Sequence, residues 1–182
     1  MKKNSAKIVL EDIENTELAL KIELIVKIKY TMIAIIPYKK TYQIEIDLMK
    51  AEIALEFKMP ISTKTSSITQ TLDNHWLAIH QSKIIGTIGI LKIENTCAIL
   101  KNMFVKKEFR GGKYGTAKIL LKKISDWCLA ERISYIYLGT MRQFEAAHHF
   151  YEKNGFIEIE EAELPSDFTK NPLDSVFYCK KL

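Results

Sequence analysis

The most constraining feature of this chain is a glycine cluster. Gly111, Gly112 and Gly115 fall within Phe109-Arg110-Gly111-Gly112-Lys113-Tyr114-Gly115-Thr116, between an apolar strand-like segment and a long amphipathic one. Downstream, Ala117, Leu120, Leu121, Ile124, Trp127 and Cys128 repeat at helical spacing, with Lys118, Lys122, Ser125 and Asp126 on the other face. A strand, a glycine turn and a helix N-terminus leave backbone N–H groups without intrachain partners, along a dipole that favours negative charge. Such a turn is either an ordinary connection using glycine for positive φ or a phosphate cradle. Arg110 and Lys113 favour the cradle. Spacing excludes two other phosphate motifs. A P-loop would need glycine at Lys107 and a hydroxyl at Tyr114, and glycines at 111, 112 and 115 break the dinucleotide pattern G-x-G-x-x-G.

Charge follows the same segment. The net charge is +5, and Lys101 to Lys123 holds eight basic residues against one acid, Glu108. Phe156 to Asp167 reverses this, with Glu158, Glu160, Glu161, Glu163 and Asp167 and no base. The field alone suits an anionic ligand at the first pole and a cationic one at the second, although charge runs also serve as solvated faces. At 182 residues, with 47% apolar and 27% charged, the chain suits one folded domain. No apolar run is long enough to span a bilayer, and Met1-Lys2-Lys3 is followed by Asn4 and Ser5 rather than a signal core. Three cysteines without a C-x-x-C pair argue against a disulfide framework, and no H-E-x-x-H motif occurs. A cytoplasmic protein with no membrane partner and no metal is the expectation.

The pattern of elements is mixed. Glu17 to Tyr30 alternates with period 2 and reads as extended; Thr31 to Tyr38 reads as a buried strand ending at Pro37. Tyr42, Ile46, Met49, Ile53 and Phe57 form one helical stripe over Thr41 to Phe57, and Ile61 to Asn74 reads as an irregular Ser/Thr-rich loop. Trp76 to His80, Ile84 to Ile93 and Cys97 to Val105 are joined by short turns at 81–83 and 94–95, so they form an antiparallel meander. Ile133 to Leu138 is a further strand. A helix from about Gln143 follows, closed by Asn154-Gly155, then strands at Phe156 to Glu160 and Val176 to Lys180.

Two motifs carry a resemblance. Leu100-Lys101-Asn102-Met103-Phe104-Val105 followed by Arg110-Gly111 and Gly115 resembles the acyl-CoA-binding motif of the GNAT N-acetyltransferase superfamily. Ala146-Ala147-His148-His149-Phe150-Tyr151-Glu152-Lys153-Asn154-Gly155-Phe156 resembles the helix and glycine turn after that superfamily's fifth core strand. The resemblance covers residues 31–182 as a single acetyltransferase domain and leaves 1–30 as an extension. It implies an α/β fold with a central mixed, mostly antiparallel sheet flanked by helices, in which the fourth and fifth core strands splay apart. The implied co-substrate is acetyl-CoA, and the implied activity is acetyl transfer to a primary amine by direct attack in a ternary complex.

The same resemblance assigns residues. Backbone groups of Met103, Phe104 and Val105 would meet the pantetheine arm. The pyrophosphate would sit on the N–H groups from Gly111 through Gly112, Lys113, Tyr114 and Gly115 to Thr116, with charge from Arg110 and Lys113. Ala147 would border the cofactor, and Tyr151 would act as general acid to the leaving sulfur, although its helical stripe equally suits a core aromatic. One departure stands out, because the superfamily pattern has glycine where this chain has Lys113. The general base is not identifiable: Cys97 to Val105 holds no carboxylate, which leaves the acidic pole, Glu56 or water. Glu163 and Asp167, in the loop bordering the acceptor site, would attract a cationic amine. His148 and His149 suit surface roles.

Two alternatives remain open, a non-catalytic acyl-CoA-binding sensor on the same fold and nucleic-acid binding through Lys101 to Lys123. No nucleic-acid motif accompanies that segment, so no nucleic-acid partner is expected. An unpaired edge at Glu17 to Tyr30 would leave room for a homodimer.

Overall fold

The computed structural model describes residues 18–22, 32–61, 72–93 and 96–182. Seven strands form one sheet in the order β1-β2-β3-β4-β5-β7-β6. They are β1 (Ala34–Pro37), β2 (Asn74–His80), β3 (Lys83–Lys92), β4 (Cys97–Val105), β5 (Tyr135–Thr140), β6 (Ile157–Ile159) and β7 (Val176–Lys181). The helices are α1 (Gln43–Ala54), α2 (Thr116–Ala130) and α3 (Glu145–Lys153). Only the β4–β5 pair is parallel, so the sheet is mixed and mostly antiparallel, as expected.

Alternating side chains divide the core between the two faces. Ala78, Ile88, Leu120, Ile124, Ile136, Leu138, Tyr151 and Tyr178 pack on the α2/α3 face, while Leu77 and Ile84 meet Ile46, Met49 and Ile53 of α1 on the other. Leu120 and Ile124 are fully buried, each burial contributing about 1.5–3 kcal/mol. The α1 stripe is the expected one, but the α-helix is shorter than Thr41 to Phe57, preceded by a 3-10 turn at Lys40–Tyr42.

Two expectations near the N-terminus are corrected. Residues 18–22 are helical, with Leu18, Leu20 and Ile22 exposed, not extended. Leu, Ala and Lys are good helix formers, and among the described residues no neighbouring strand supplies the ladder that would hold them extended. The remainder of Glu17 to Tyr30, most of the Ser/Thr-rich loop and the 94–95 turn lie outside the described residues. Among the described residues β1 is an edge strand paired only with β2, and its ends are exposed rather than buried. An edge is where Pro37, which lacks an N–H, is tolerated.

The splay has a visible cause. β4 pairs with β5 only at Cys97↔Tyr135, Ala98↔Ile136 and Ile99↔Tyr137. On its other side β4 pairs Phe104 with Thr87 and Lys101 with Gly89, which places one extra residue in β4, and Asn102 within it has φ +52°. A β-bulge bends and twists its strand. Beyond Ile99 the two strands therefore part, and the β4 edge from Leu100 onward faces no partner in β5.

Candidate active site

The glycine loop takes the form of a cradle. Gly111 has φ +78° and Gly115, the N-cap of α2, has φ +63°. Lys113 has no positive φ, so the position where the superfamily pattern has glycine requires none here. The left-handed turns are made by Gly111 and Gly115 instead. Gly115 N–H donates to Gly111 C=O at 3.2 Å, whereas the N–H groups of Gly112, Lys113, Tyr114 and Thr116 have no backbone acceptor among the described residues. A Cβ on Gly111, Gly112 or Gly115 would meet nothing within 4 Å, so the loop opens outward. The rings of His80, Phe109 and Tyr114 pack together behind it.

This helix N-terminus fits an anion and little else. α1 and α3 each carry an acid in the first turn, Glu45 and Glu145. α2 has no acid there and no side-chain cap, while Lys113 precedes it and Lys118 lies in its first turn. Cations at this end oppose the dipole, at a cost of about 0.3–1 kcal/mol each. Thr116 Oγ1 is buried with no hydrogen-bond partner among the described residues. A pyrophosphate would balance the charge and take up the free N–H groups.

Arg110 is differently engaged. Its Nε donates to Val105 C=O at 2.7 Å, and its two terminal nitrogens fork onto the Glu56 carboxylate at 2.7 and 2.8 Å. It ties the end of β4 to the segment after α1, so neither Arg110 nor Glu56 has a free head for phosphate or proton work.

Tyr151 stands at the gap. It lies on α3 one turn after Ala147, is 6% exposed, and packs against Phe150, Phe156 and Tyr178. Its hydroxyl donates to Met103 Sδ of β4 at 3.7 Å. Burial, and then the nearby Asp174 and Tyr178, push the phenol well above its ordinary value, so it keeps its proton. It is thus suited to donate a hydrogen bond to sulfur. Met103 faces Tyr151, whereas the Phe104 ring joins the α1-side core beneath Lys50 Nζ, 5.1 Å from its centroid.

The opposite face of the gap is lined by residues that the sequence pattern did not single out. Lys101 Nζ donates to Thr169 C=O at 2.6 Å and lies 6.0 Å from the Phe168 centroid. Burial pulls its ammonium below the usual value, against the opposing pull of Asp174. The Asp174 carboxylate rests on Gly139 of β5 and accepts the Asn171 N–H at 3.1 Å. The acids expected to greet an amine are occupied locally. Glu163 Oε2 accepts the Glu160 N–H in a capping box, Glu161 pairs with Lys170 at 2.7 Å, and Asp167 accepts from its neighbour Ser166. His148 bonds Met141 C=O at 3.0 Å and His149 lies 3.8 Å from Glu152. Among the described residues no three His, Cys, Asp or Glu side chains cluster as a metal site, and no helix is long and apolar enough to cross a membrane.

The family model described as Acetyltransferase (GNAT) family matches residues 42–156, from α1 through the turn after α3. The chain belongs to the GNAT acetyltransferase family. Among curated relatives of this GNAT chain is N-acetylaspartate synthetase of Danio rerio, 32% identical over 107 residues, which are 57% of this chain and 37% of the relative. The chain thus matches well under half the length of that protein. A GNAT acetyltransferase of Staphylococcus aureus Mu50 superposes with TM-score 0.74 at 33% identity, over 82% of this chain and 99% of the other. A GNAT acetyltransferase of Elizabethkingia anophelis with acetyl-CoA bound shares the fold at TM-score 0.59 and 19% identity, over 82% and 98% of the two chains. The family is one of acyltransferases, and it supports acetyl-CoA-dependent N-acetyl transfer in general.

Proposed function

We propose that this acetyltransferase moves the acetyl group of acetyl-CoA to a primary amine by direct attack in a ternary complex, and that the acceptor is a small molecule that also carries a carboxylate. The observation that carries the reading is the β4–β5 gap, with a hydroxyl already hydrogen-bonded to sulfur on one face and cations on the other. The pyrophosphate would rest on the N–H groups of Gly112, Lys113, Tyr114 and Thr116, and the pantetheine would follow the unpaired β4 edge past Met103. The thioester sulfur would then take the place of Met103 Sδ before Tyr151, whose hydroxyl stabilises the departing thiolate.

The acceptor class follows from charge. On the α1 face Lys50 lies over Phe104. Lys101 sits at the gap itself. These cations suit a carboxylate on the acceptor better than a polyamine. The name of the Danio rerio relative, N-acetylaspartate synthetase, describes a product of this chemical class.

The test is thiol release from acetyl-CoA with L-aspartate, L-glutamate, spermidine and a lysine-containing peptide as acceptors, beside calorimetry with acetyl-CoA alone. The acid-bearing amines should turn over fastest. Preference for spermidine would overturn the acceptor class, and tight acetyl-CoA binding without release from any amine would favour the non-catalytic acyl-CoA-binding reading.

A further inference from the structure

The last paired rung between β4 and β5 is Ile99↔Tyr137, so Lys101 and Gly139 are the next residues on that face, one rung past Leu100 and Leu138, where the strands have parted. Asp174 fills this rung. The absence of a side chain at Gly139 makes room for it: a Cβ there would lie 2.7 Å from Asp174 Cγ and closer still to the carboxylate oxygen. Asn171 fixes the turn on both sides, its N–H donating to Asp174 Oδ2 at 3.1 Å and its C=O accepting the Asp174 N–H at 2.9 Å. Even-numbered β4 and β5 residues Ala98, Leu100, Ile136 and Leu138 belong to the α2/α3 core together with Tyr151, so Asp174 and Tyr151 lie on opposite faces of the same opening. The two are close enough for Asp174 to raise the phenol of Tyr151.

We propose that Asp174 is the general base of the transfer, its carboxylate taking a proton from the acceptor's ammonium as the nitrogen approaches the thioester carbon. This rests on the acetyl-transfer reading above. An alkyl ammonium with a pKa near 10.4 is neutral in only about four molecules in ten thousand at pH 7. Removing its proton at the gap supplies the lone pair. The nitrogen bonds the carbonyl carbon, the carbon–sulfur bond breaks with its electron pair on sulfur, and the second amine proton ends on the thiol. Asp174 returns the first proton to water, so each turnover converts ammonium and thioester into amide, thiol and one released proton. Burial lifts the Asp174 carboxyl above its ordinary value, which strengthens it as a base, and the Asn171 N–H and the Lys101 and Lys170 ammoniums hold it back from full protonation. Lys101 faces it from β4, Lys170 from its own segment and the Tyr151 hydroxyl from α3.

Rates of thiol release should be measured from pH 6 to 10 for the full chain, Asp174→Asn and Gly139→Ala, the latter displacing the carboxylate without removing it. One acceptor is the best amino acid of the panel; the other is hydroxylamine, already neutral at pH 7. With the amino acid, both variants should lose about 100-fold or more at pH 7, the deficit shrinking about tenfold per pH unit as the amine deprotonates unaided. With hydroxylamine the loss should be within about threefold, and acetyl-CoA affinity by calorimetry should not change. An equal, pH-independent loss with both acceptors, or no loss in Asp174→Asn, would overturn the assignment. If the unmodified protein releases no thiol with any amine yet binds acetyl-CoA, the transfer reading itself fails and the base falls with it.

Discussion

The two faces of the β4–β5 gap are built by opposite means. The α2 side offers backbone: free N–H groups of one short loop, an unpaired strand edge and a helix dipole, all within Leu100 to Thr116. The α1 side presents side chains drawn from distant parts of the chain, Lys50 over Phe104 and Lys101 beside Asp174, on strands that carry no shared signature. A backbone site would tolerate a change of side chain such as Lys113, since the loop takes positive φ only at Gly111 and Gly115. A side-chain site has no such tolerance, and through it one fold takes different acceptors.

Perturbations should separate the faces. Tyr151→Phe, which keeps the ring among Phe150, Phe156 and Tyr178, should lower kcat about 100-fold, with acetyl-CoA affinity unchanged by calorimetry. Gly112→Val folds, because its Cβ meets nothing within 4 Å, and should weaken acetyl-CoA binding about tenfold or more, about 1.4 kcal/mol. Lys101→Ala, at the gap beside Asp174, should raise the acceptor KM several-fold in steady-state assays and leave the acetyl-CoA KM alone. Arg110→Ala is the sharpest discriminator. With its guanidinium already given to Glu56 and Val105, the loss should read as about 1–2 kcal/mol of stability in urea denaturation, with less than a threefold change in acetyl-CoA affinity; a large affinity loss would return Arg110 to the phosphate site.

The smallest effect concerns pH. His75 on β2 is stacked on Tyr38 and hydrogen-bonded to Thr87, and burial, aided by Lys50, lowers its pKa to about 4. A base whose folded pKa is lowered binds its proton first in the unfolded state, so stability falls as pH drops from about 6.5 towards 4. Side-chain NMR titration of His75 should give a midpoint near 4; a midpoint near 6.5 would remove this contribution to the acid slope.

The same contrast explains what the sequence revealed. The glycine loop, the α2 stripe and the Tyr151 helix are local patterns, and their elements match the expected ones within about two residues at the ends of β5 and α3. Arg110 was legible as a cation near phosphate but not as the partner of Glu56, because that pairing spans 54 positions. Glu163 and Asp167 were legible as charge, but charge alone does not reveal that Glu163 caps a 3-10 turn. Asp174 was hidden for a physical reason. Its surroundings come from Gly139 on one strand and Lys101 on another, and a lone aspartate before a strand reads as a turn residue. A glycine in mid-strand, which often marks a close approach, was the available signal.

The single extra residue in β4 also bears on the order of events in time. Parting the strands opens the sheet beyond Ile99, and on the proposed reading the cofactor and the acceptor would come to that opening from opposite faces. Neither reactant need cover the other's approach, so steric gating imposes no fixed sequence of arrival. Initial-rate patterns that intersect, with either product able to compete at its own face, would be the kinetic counterpart of a bulge at Asn102.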